Sequence, residues 1–190
     1  MKGKRLLHTL RLWTIPSGAK RAEYLRNKKI FAGIGKGCTF MERKIPLYAN
    51  LIRLGDNVHL ASGVTFVTHD VTHKMLNNSG LEVMNGLKLQ EKVGCIELGN
   101  NVFVGAGVTI LYDVKIGSNV IIGAGSVVTK DIPDNSIVAG VPAKVITTMD
   151  SYIAKRRNDS VYSSSVRPQK QEVGPQLEQW CWEQFKEKRV

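Results

Sequence analysis

Histidine side chains are the groups in this sequence best suited to catalysis at neutral pH, and their spacing limits the chemistry. The four of them are His8, His59, His69 and His73. An imidazole titrates near neutral pH, so it can take a proton from a hydroxyl or amine that attacks an electrophile. A catalytic zinc site would need three convergent ligands, which the spacing of His59, His69 and His73 does not offer. The histidines therefore favour acid–base chemistry without a metal ion.

The three cysteines, Cys38, Cys95 and Cys181, are widely spaced and odd in number. Such a pattern favours free thiols in a reducing compartment over a disulfide framework or a zinc site. No apolar run approaches the roughly 18 residues that cross a bilayer. The basic N-terminus also lacks the uninterrupted apolar stretch of a secretory signal. We therefore expect a cytoplasmic protein.

A repeat of six residues organises the middle of the chain. One series is branched aliphatic at every sixth position, and a second, mostly aliphatic series stands four residues later. The two series are Leu98, Val104, Ile110, Ile116, Ile122 and Val128, and Val102, Val108, Val114, Val120, Ser126 and Ile132. Residues 54–66 repeat the pattern, and residues 34–40 form an irregular first unit. A period of six fits neither an α-helix nor a coiled coil.

The repeat predicts an all-β solenoid with one continuous core. Short strands would bury both aliphatic series, and each strand is too short to be stable unless the coils stack. Glycine and asparagine recur at the expected corners, for example at Gly99, Asn101, Gly105 and Asn119. Both residue types accept the positive φ angles that tight corners use.

Two stretches carry a resemblance to a known family. The sequences LGNNVFVGAGVTI (residues 98–110) and IGAGSVVTKDIPDNSIVAGVPAKVI (residues 122–146) resemble the galactoside/maltose O-acetyltransferase branch of the hexapeptide-repeat acyltransferases. The resemblance extends over residues 34–147. It implies a left-handed parallel β-helix that assembles as a homotrimer with active sites between subunits. It also implies direct transfer of an acetyl group from acetyl-CoA to a sugar or polysaccharide-precursor hydroxyl.

The same resemblance implies a role for individual residues. The stretch Val-Thr-His-Asp implies that His69 is the catalytic base, while Tyr-Ala-Asn implies that Asn50 binds the acceptor. His73 is the competing base candidate and a second candidate for acceptor contact. The implied cofactor positions are Ala106, Ala124, Thr129, Lys130 and Lys144. Small residues would let the main chain reach the pantetheine amides, the N–H of Ala106 could hold the oxyanion, and the lysines suit phosphates.

Residues 70–95 interrupt the repeat directly after His69. The distance from Phe66 to Leu98 is not a multiple of six, so this loop must leave the solenoid at a corner. Long excursions from compact scaffolds are usually functional or disordered. Its many apolar residues favour an ordered loop, which we expect to select the acceptor.

Helical arms flank the repeat region, and they hold the excess positive charge. We expect an N-terminal basic arm or cap (residues 1–33), the β-helix (residues 34–147) and a C-terminal extension (residues 148–190). Residues 2–13 suit a basic amphipathic helix, and Ser17 suits the N-cap of a second helix. Further helices are expected at Met149–Arg157 and Glu178–Lys188, separated by a polar linker over residues 160–175. The aromatic residues of the last helix are expected to pack against the solenoid or a neighbouring subunit.

The net charge of +11 is informative because of where it lies. Residues 1–29 carry nine Lys or Arg against one acid, whereas residues 30–150 are neutral overall. A nucleic-acid-binding protein would carry a basic stripe on its folded body, so no nucleic-acid partner is expected. Basic arms could instead bring the protein near an anionic membrane surface, although solvated helix faces also explain them.

Three alternative functions remain open at this stage. The same scaffold could acetylate an amine of an amino sugar or a xenobiotic. A zinc hydro-lyase of the carbonic anhydrase kind could share the solenoid, but its histidine ligands are missing. A non-catalytic scaffold is disfavoured by the presence of His69 together with Thr129 and Lys130.

Overall fold

The computed structural model describes residues 2–159, 161–168 and 172–189. The chain divides into two compact units, residues 1–151 and residues 152–190. The helices are α1 (Lys2–Trp13), α2 (Gly18–Asn27), α3 (Thr72–Asn77), α4 (Met149–Arg156) and α5 (Pro175–Glu187). Short 3-10 turns lie at Ala49–Leu51, Glu82–Met84 and Ser164–Val166.

Fifteen short strands carry the repeat region and its loop. They are β1 (Gly33–Ile34), β2 (Thr39–Phe40), β3 (Ile52–Leu54), β4 (Val58–Leu60), β5 (Thr65–Val67), β6 (His69–Asp70), β7 (Lys92–Val93), β8 (Ile96–Leu98), β9 (Val102–Val104), β10 (Thr109–Leu111), β11 (Val114–Ile116), β12 (Val120–Ile122), β13 (Val127–Val128), β14 (Ser136–Ala139) and β15 (Lys144–Thr148).

The strands form three parallel sheets that the chain visits in turn. Their orders are β1-β3-β8-β11, β13-β10-β5 and β15-β14-β12-β9-β4-β2, and within them the end strand β15 is antiparallel to its neighbour. The remaining strands, β6 and β7, form a separate antiparallel pair. In the regular part, residues 18 positions apart stack on one another, as Asn101 does on Asn119. Three six-residue units therefore make one turn of the chain. This arrangement confirms the parallel, repeat-based architecture that the sequence predicts.

The core lies inside the three sheets and contains both predicted series. All twelve members are buried, from Val104 at 0% exposed to Ile132 at 7%. Ser126 is the polar exception, and it is fully buried. Its hydroxyl donates to the carbonyl of Gly123 at 2.6 Å and accepts from the N–H of Gly140 at 3.1 Å. A buried hydroxyl costs little when it is paired in this way.

The predicted positive φ angles at the corners are found at the asparagines but not at two of the glycines. Asn101 and Asn119 both have φ of 57°, in the left-handed region. Gly99 and Gly105 do not have the positive φ angles that we expected of them. A Cβ at Gly105 would instead lie 2.5 Å from the main-chain nitrogen of Ala124 on the next coil. Glycine is required there because adjacent coils approach closely, not because of backbone conformation.

Asparagine side chains connect the coils along one corner. The amide of Asn57 donates to Asn101, that of Asn101 to Asn119, and that of Asn119 to Asn135, each at 2.9 Å. All four residues have positive φ. The asparagine ladder thus satisfies the side-chain amides while each residue forms its own turn.

The N-terminal arm packs on the first coil through a buried arginine. Ser17 caps α2 by accepting from the N–H of Lys20 at 3.5 Å, as predicted. Arg21 of α2 is 1% exposed. Its guanidinium donates to four carbonyls, those of Ile15, Pro16, Phe40 and Met41. Two of these carbonyls belong to β2 and the residue after it, so Arg21 fastens the arm to the sheet.

The C-terminal unit contains helical structure near the predicted positions. Helix α4 ends one residue earlier than predicted, at Arg156, and α5 begins three residues earlier than predicted, at Pro175. Proline suits the first turn of a helix because that turn leaves its N–H groups unpaired. Parts of the predicted linker, Ser160 and residues 169–171, lie outside the described residues. No helix in the described part of the chain is long and apolar enough to cross a membrane.

Candidate active site

The loop that follows His69 leaves and rejoins the coil through a two-stranded hairpin. Strand β6 pairs antiparallel with β7, so that His69 stands opposite Val93. The N–H of Gly94 then donates to the carbonyl of Thr68 at 2.9 Å, which returns the chain to the regular coil. His69 therefore lies on regular structure at the carboxyl end of β5, as the interrupted repeat predicts.

His69 is half-buried rather than standing freely on the outer surface. The ring of Tyr48 packs edge-on against the imidazole, with 5.1 Å between centroids and an angle of 78°. The Tyr48 hydroxyl donates to Glu91 at 3.1 Å, and this hydrogen bond raises the pKa of Tyr48. Nδ1 of His69 is buried and has no hydrogen-bond partner among the described residues. A substrate therefore has no access to Nδ1, and Nε2 is the candidate nitrogen for acid–base chemistry.

Asp70 fixes the hairpin to the coil instead of orienting the imidazole. Its carboxylate accepts hydrogen bonds from the hydroxyls of Thr72 and Tyr112, each at 2.6 Å. These two bonds, that of Thr72 first, lower the pKa of Asp70 to about 2. Lys92 of β7 lies over the Tyr112 ring at 4.8 Å. Because Tyr112 follows β10, these contacts tie the strand that carries His69 to the neighbouring coil.

The loop is ordered by polar contacts, whereas we expected apolar ones. Asn77 exchanges two hydrogen bonds of 2.9 Å with the main chain of Leu89, which closes the loop on itself. Its apolar side chains remain largely exposed in the single chain, including Met75 at 63% and Val83 at 85%. Large exposed apolar surface of this kind usually meets a ligand or another protein chain.

The predicted acceptor contacts, His73 and Asn50, belong to two different elements, α3 of the loop and the turn after Tyr48. His73 is half-buried in α3, and its Nδ1 also lacks a partner among the described residues. Asn50 is exposed in the 3-10 turn that follows Tyr48. The stacking of Tyr48 on His69 therefore places the Asn50 turn beside the hairpin.

The predicted cofactor residues are all exposed. Ala106 and Ala124 stand at one corner of adjacent coils, where the N–H of Gly125 donates to the carbonyl of Ala106 at 2.8 Å. The N–H groups of both alanines have no acceptor in the described part of the chain. Thr129 and Lys130 directly follow β13, and Lys144 begins β15.

Lys144 belongs to another sheet, whereas His69 and the other four cofactor residues lie at two edges of one sheet. Strands β13, β10 and β5 are parallel neighbours. His69, Thr129 and Lys130 follow the carboxyl ends of the outer strands, whereas Ala106 and Ala124 precede the amino ends of β10 and β13. A three-residue strand spans roughly 10 Å. A single chain therefore does not bring His69 next to Ala106.

The other two histidines, His59 and His8, have structural contacts and are half-buried. His59 hydrogen-bonds to Thr39 at 2.9 Å and to Asn57 at 2.8 Å. His8 hydrogen-bonds to the Tyr24 hydroxyl at 2.6 Å. The part of the chain that is described holds no group of three or more His, Cys, Asp or Glu able to bind a metal ion.

Sequence reasoning missed Tyr112 and Glu91 and did not single out Tyr48. Tyr48 belongs to the same Tyr-Ala-Asn stretch that led to Asn50, so the sequence offered a reason to consider it as a site residue. Glu91 lies 43 residues from its partner Tyr48, and Tyr112 lies 42 residues from its partner Asp70. No local pattern marks such distant pairs.

Comparison with known proteins identifies the family. A family model described as bacterial transferase hexapeptide (six repeats) matches residues 96–130, which run from β8 to the turn after β13. The protein CapG of Staphylococcus aureus is 34% identical over 165 residues, covering 85% of this chain and 88% of CapG. The chain belongs to the hexapeptide-repeat acetyltransferases.

Solved structures agree with this membership. A maltose O-acetyltransferase from Clostridium difficile 630 matches with a TM-score of 0.51 and 29% identity, over 76% of this chain and 86% of that one. A hexapeptide-repeat acetyltransferase from Vibrio cholerae O1 biovar eltor, solved with acetyl coenzyme A, matches with a TM-score of 0.52. It is 20% identical and covers 77% of this chain and 85% of that one, so it shows a shared fold. This hexapeptide-repeat acetyltransferase thus has the fold of its family, and its β6–β7 hairpin carries His69 at the edge of one sheet.

Proposed function

We propose that this protein transfers the acetyl group of acetyl-CoA directly to a hydroxyl of a sugar or polysaccharide precursor, with His69 as general base. The observation that carries the proposal is the His69 environment. The imidazole lies in the hairpin against the ring of Tyr48, and its Nδ1 is buried without a partner among the described residues, which leaves Nε2 as the nitrogen for proton transfer. A base must be held in this way to meet a hydroxyl in a reactive geometry.

The reaction needs no covalent acyl-enzyme. Nε2 of His69 takes the proton of the acceptor hydroxyl while its oxygen attacks the thioester carbonyl carbon of acetyl-CoA. The C–S bond breaks as the tetrahedral intermediate collapses, and the CoA thiolate takes the proton from the imidazolium. The products are the acetyl ester and free CoA. The unpaired N–H of Ala106 is suited to hold the negative oxygen of the intermediate.

The donor would lie along the corner formed by Ala106 and Ala124. Their free N–H groups suit the pantetheine amides, since the methyl side chains do not block access to the main chain. Lys130 and Lys144 are exposed cations suited to the phosphates of CoA, with Thr129 beside them.

The separation of His69 from Ala106 within one chain supports a site shared between copies. We take the assembly to be a homotrimer of left-handed β-helices in the cytoplasm, with His69 of one copy facing Ala106 of the next. The exposed apolar residues of the loop, such as Met75 and Val83, would then cover the acceptor or contact the adjoining copy. Asn50 and His73 would bind the acceptor.

The test is an acceptor screen with acetyl-CoA that follows release of the free thiol. We expect sugar hydroxyls to be acetylated. Replacing His69→Ala should lower turnover by a factor on the order of 100 or more, while the dissociation constant of CoA stays nearly unchanged. His73→Ala serves as the matched control, and it should raise KM for the acceptor more than it lowers kcat.

Two results would overturn this function. A profile restricted to amine acceptors would replace O-acetylation with N-acetylation on the same scaffold. Near-normal turnover in His69→Ala would remove His69 from the role of base.

A further inference from the structure

Helix α1 has one face that packs and one that does not. On the packed face, Leu12 is 0% exposed, and His8 hydrogen-bonds to Tyr24 of α2 at 2.6 Å. These contacts fix how α1 is rotated about its axis. The opposite face must therefore point away from the body of residues 1–151.

The outward face of α1 is a continuous apolar stripe. Leu6, Leu10 and Trp13 follow one another at the spacing of successive helical turns, and Leu7 extends the stripe on one side. Their exposed fractions are large: 59% for Leu6, 67% for Leu7, 56% for Leu10 and 63% for Trp13. Four large apolar side chains with this exposure are not explained by packing within the chain.

Positive charge lies along one side of this stripe, and α1 contains no acidic residue. Lys4 and Arg11 are exposed about one turn before and after Leu7, and neither pairs with a carboxylate among the described residues. Arg43 adds a further charge at the end of the helix. It donates to the carbonyl of Trp13 at 2.8 Å and lies 5.3 Å from the centre of the Trp13 ring.

We propose that α1 is a peripheral membrane-binding helix that lies on a bilayer containing anionic phospholipids. Leu6, Leu10 and Trp13 would enter the boundary between headgroups and acyl chains, and the cations would contact lipid phosphates. An apolar stripe with tryptophan, flanked by Lys and Arg on a short helix, matches the properties of interfacial helices. Anionic lipid attracts each nearby basic residue.

Charge favours a lipid surface over a second copy of this chain as the partner. Residues 1–29 hold nine Lys or Arg and one acid, so two such arms would repel each other. A bilayer supplies both the apolar layer and the negative charge. The inference does not rest on the proposed acetyl transfer, because none of the α1 residues belongs to that site.

The experiment is co-sedimentation of the full chain with vesicles of phosphatidylcholine alone or mixed with phosphatidylglycerol. We expect binding to the mixed vesicles that weakens as salt increases. The double variant Leu6→Ser with Leu10→Ser should have a vesicle partition coefficient that is lower by about tenfold or more. The double variant Lys4→Gln with Arg11→Gln should lower the vesicle partition coefficient by about tenfold.

A matched control removes two exposed charges elsewhere. Lys155→Gln with Arg157→Gln changes the net charge equally and should leave vesicle binding intact. Circular dichroism and turnover with a soluble acceptor should be unaltered in every variant, which separates lost binding from lost folding.

Equal binding to both vesicle types, or binding unaffected by the two leucine exchanges, would overturn the proposal. Light scattering provides a further criterion. If the leucine variant loses its assembly state and the unaltered protein does not bind vesicles, the stripe is a contact between copies instead.

Discussion

Tyr112 donates a hydrogen bond of 2.6 Å to Asp70, the residue that follows His69. The bond joins the end of β10 to the hairpin of the excursion loop. Since Nδ1 of His69 has no partner among the described residues, the position of the imidazole depends on how firmly this hairpin and Tyr48 hold it. The Asp70–Tyr112 pair therefore lies between the coil and the proposed base.

Replacing Tyr112→Phe should lower turnover by about tenfold, because small displacements of a catalytic group are costly. The dissociation constant of CoA should not change, since Tyr112 is not one of the proposed donor residues. Thr72→Val is the matched control: it removes the other hydroxyl bound to Asp70 and leaves the link to the coil. Equal losses of turnover in both variants would contradict a positioning role for Tyr112.

The same pair predicts a dependence of stability on pH. The pKa of Asp70 is lowered to about 2 in the folded state, so its contribution is present above the ordinary pKa and is lost as pH falls through about 2. Tyr112→Phe should return this pKa towards its ordinary value. The difference in melting temperature between the unaltered protein and Tyr112→Phe should therefore shrink between about pH 5 and about pH 2. A difference that stays constant over this range would exclude the carboxylate as the source.

A site shared between copies predicts complementation between two inactive variants. Chains with His69→Ala and chains with Ala106→Trp should each be inactive when pure. After co-assembly, random mixing would leave about a quarter of the sites with both residues intact. Thiol release on mixing measures this recovery, and mass spectrometry of the intact complex verifies that the assemblies are mixed. Mixed assemblies without activity would place both residues of a site in one chain.

Arg21→Met should lower the free energy of unfolding by about 3 kcal/mol, because four carbonyls lose a buried donor. The measurement is urea unfolding at neutral pH. Arg21→Lys keeps the charge but cannot reproduce the planar fork of donors, so we expect an intermediate loss. If the Met variant is as stable as the unaltered protein, the arm does not depend on this arginine.

Asn101→Ala should cost about 2 kcal/mol, because it breaks the asparagine ladder and places alanine in the left-handed region, which asparagine tolerates better. Asn101→Gly separates the two effects, since glycine tolerates the φ of 57°. It should cost about 1 kcal/mol. Equal losses for Ala and Gly would assign the whole effect to the side-chain hydrogen bonds.

The six-residue period by itself predicts most of the fold. It places all twelve core positions correctly, because inward-facing side chains in a regular coil must repeat with the coil. It does not distinguish glycines that adopt a positive φ from glycines that allow two coils to approach closely. Positive φ at Gly107 and close approach at Gly105 depend on the neighbouring coil, which lies 18 residues away in sequence.

The candidate site is less predictable. The interrupted repeat locates His69 and the loop, because a break in a regular pattern is local. The contacts of Tyr48 with Glu91 and of Asp70 with Tyr112 join residues more than 40 positions apart. The loop is also closed by the hydrogen bonds of polar residues such as Asn77, while apolar residues such as Met75 and Val83 remain exposed. Single-sequence patterns do not encode such pairings.

The coils on the two sides of the loop formed by residues 70–95 stack directly on each other. Asn57 bonds to Asn101 across a gap of 44 residues with the same 2.9 Å geometry that Asn101 makes with Asn119. The coils before and after the loop therefore stack in the same register as two uninterrupted coils. Under the proposed function, residues 71–91 can change in length and sequence to suit a new acceptor without altering the coils that carry the proposed donor residues.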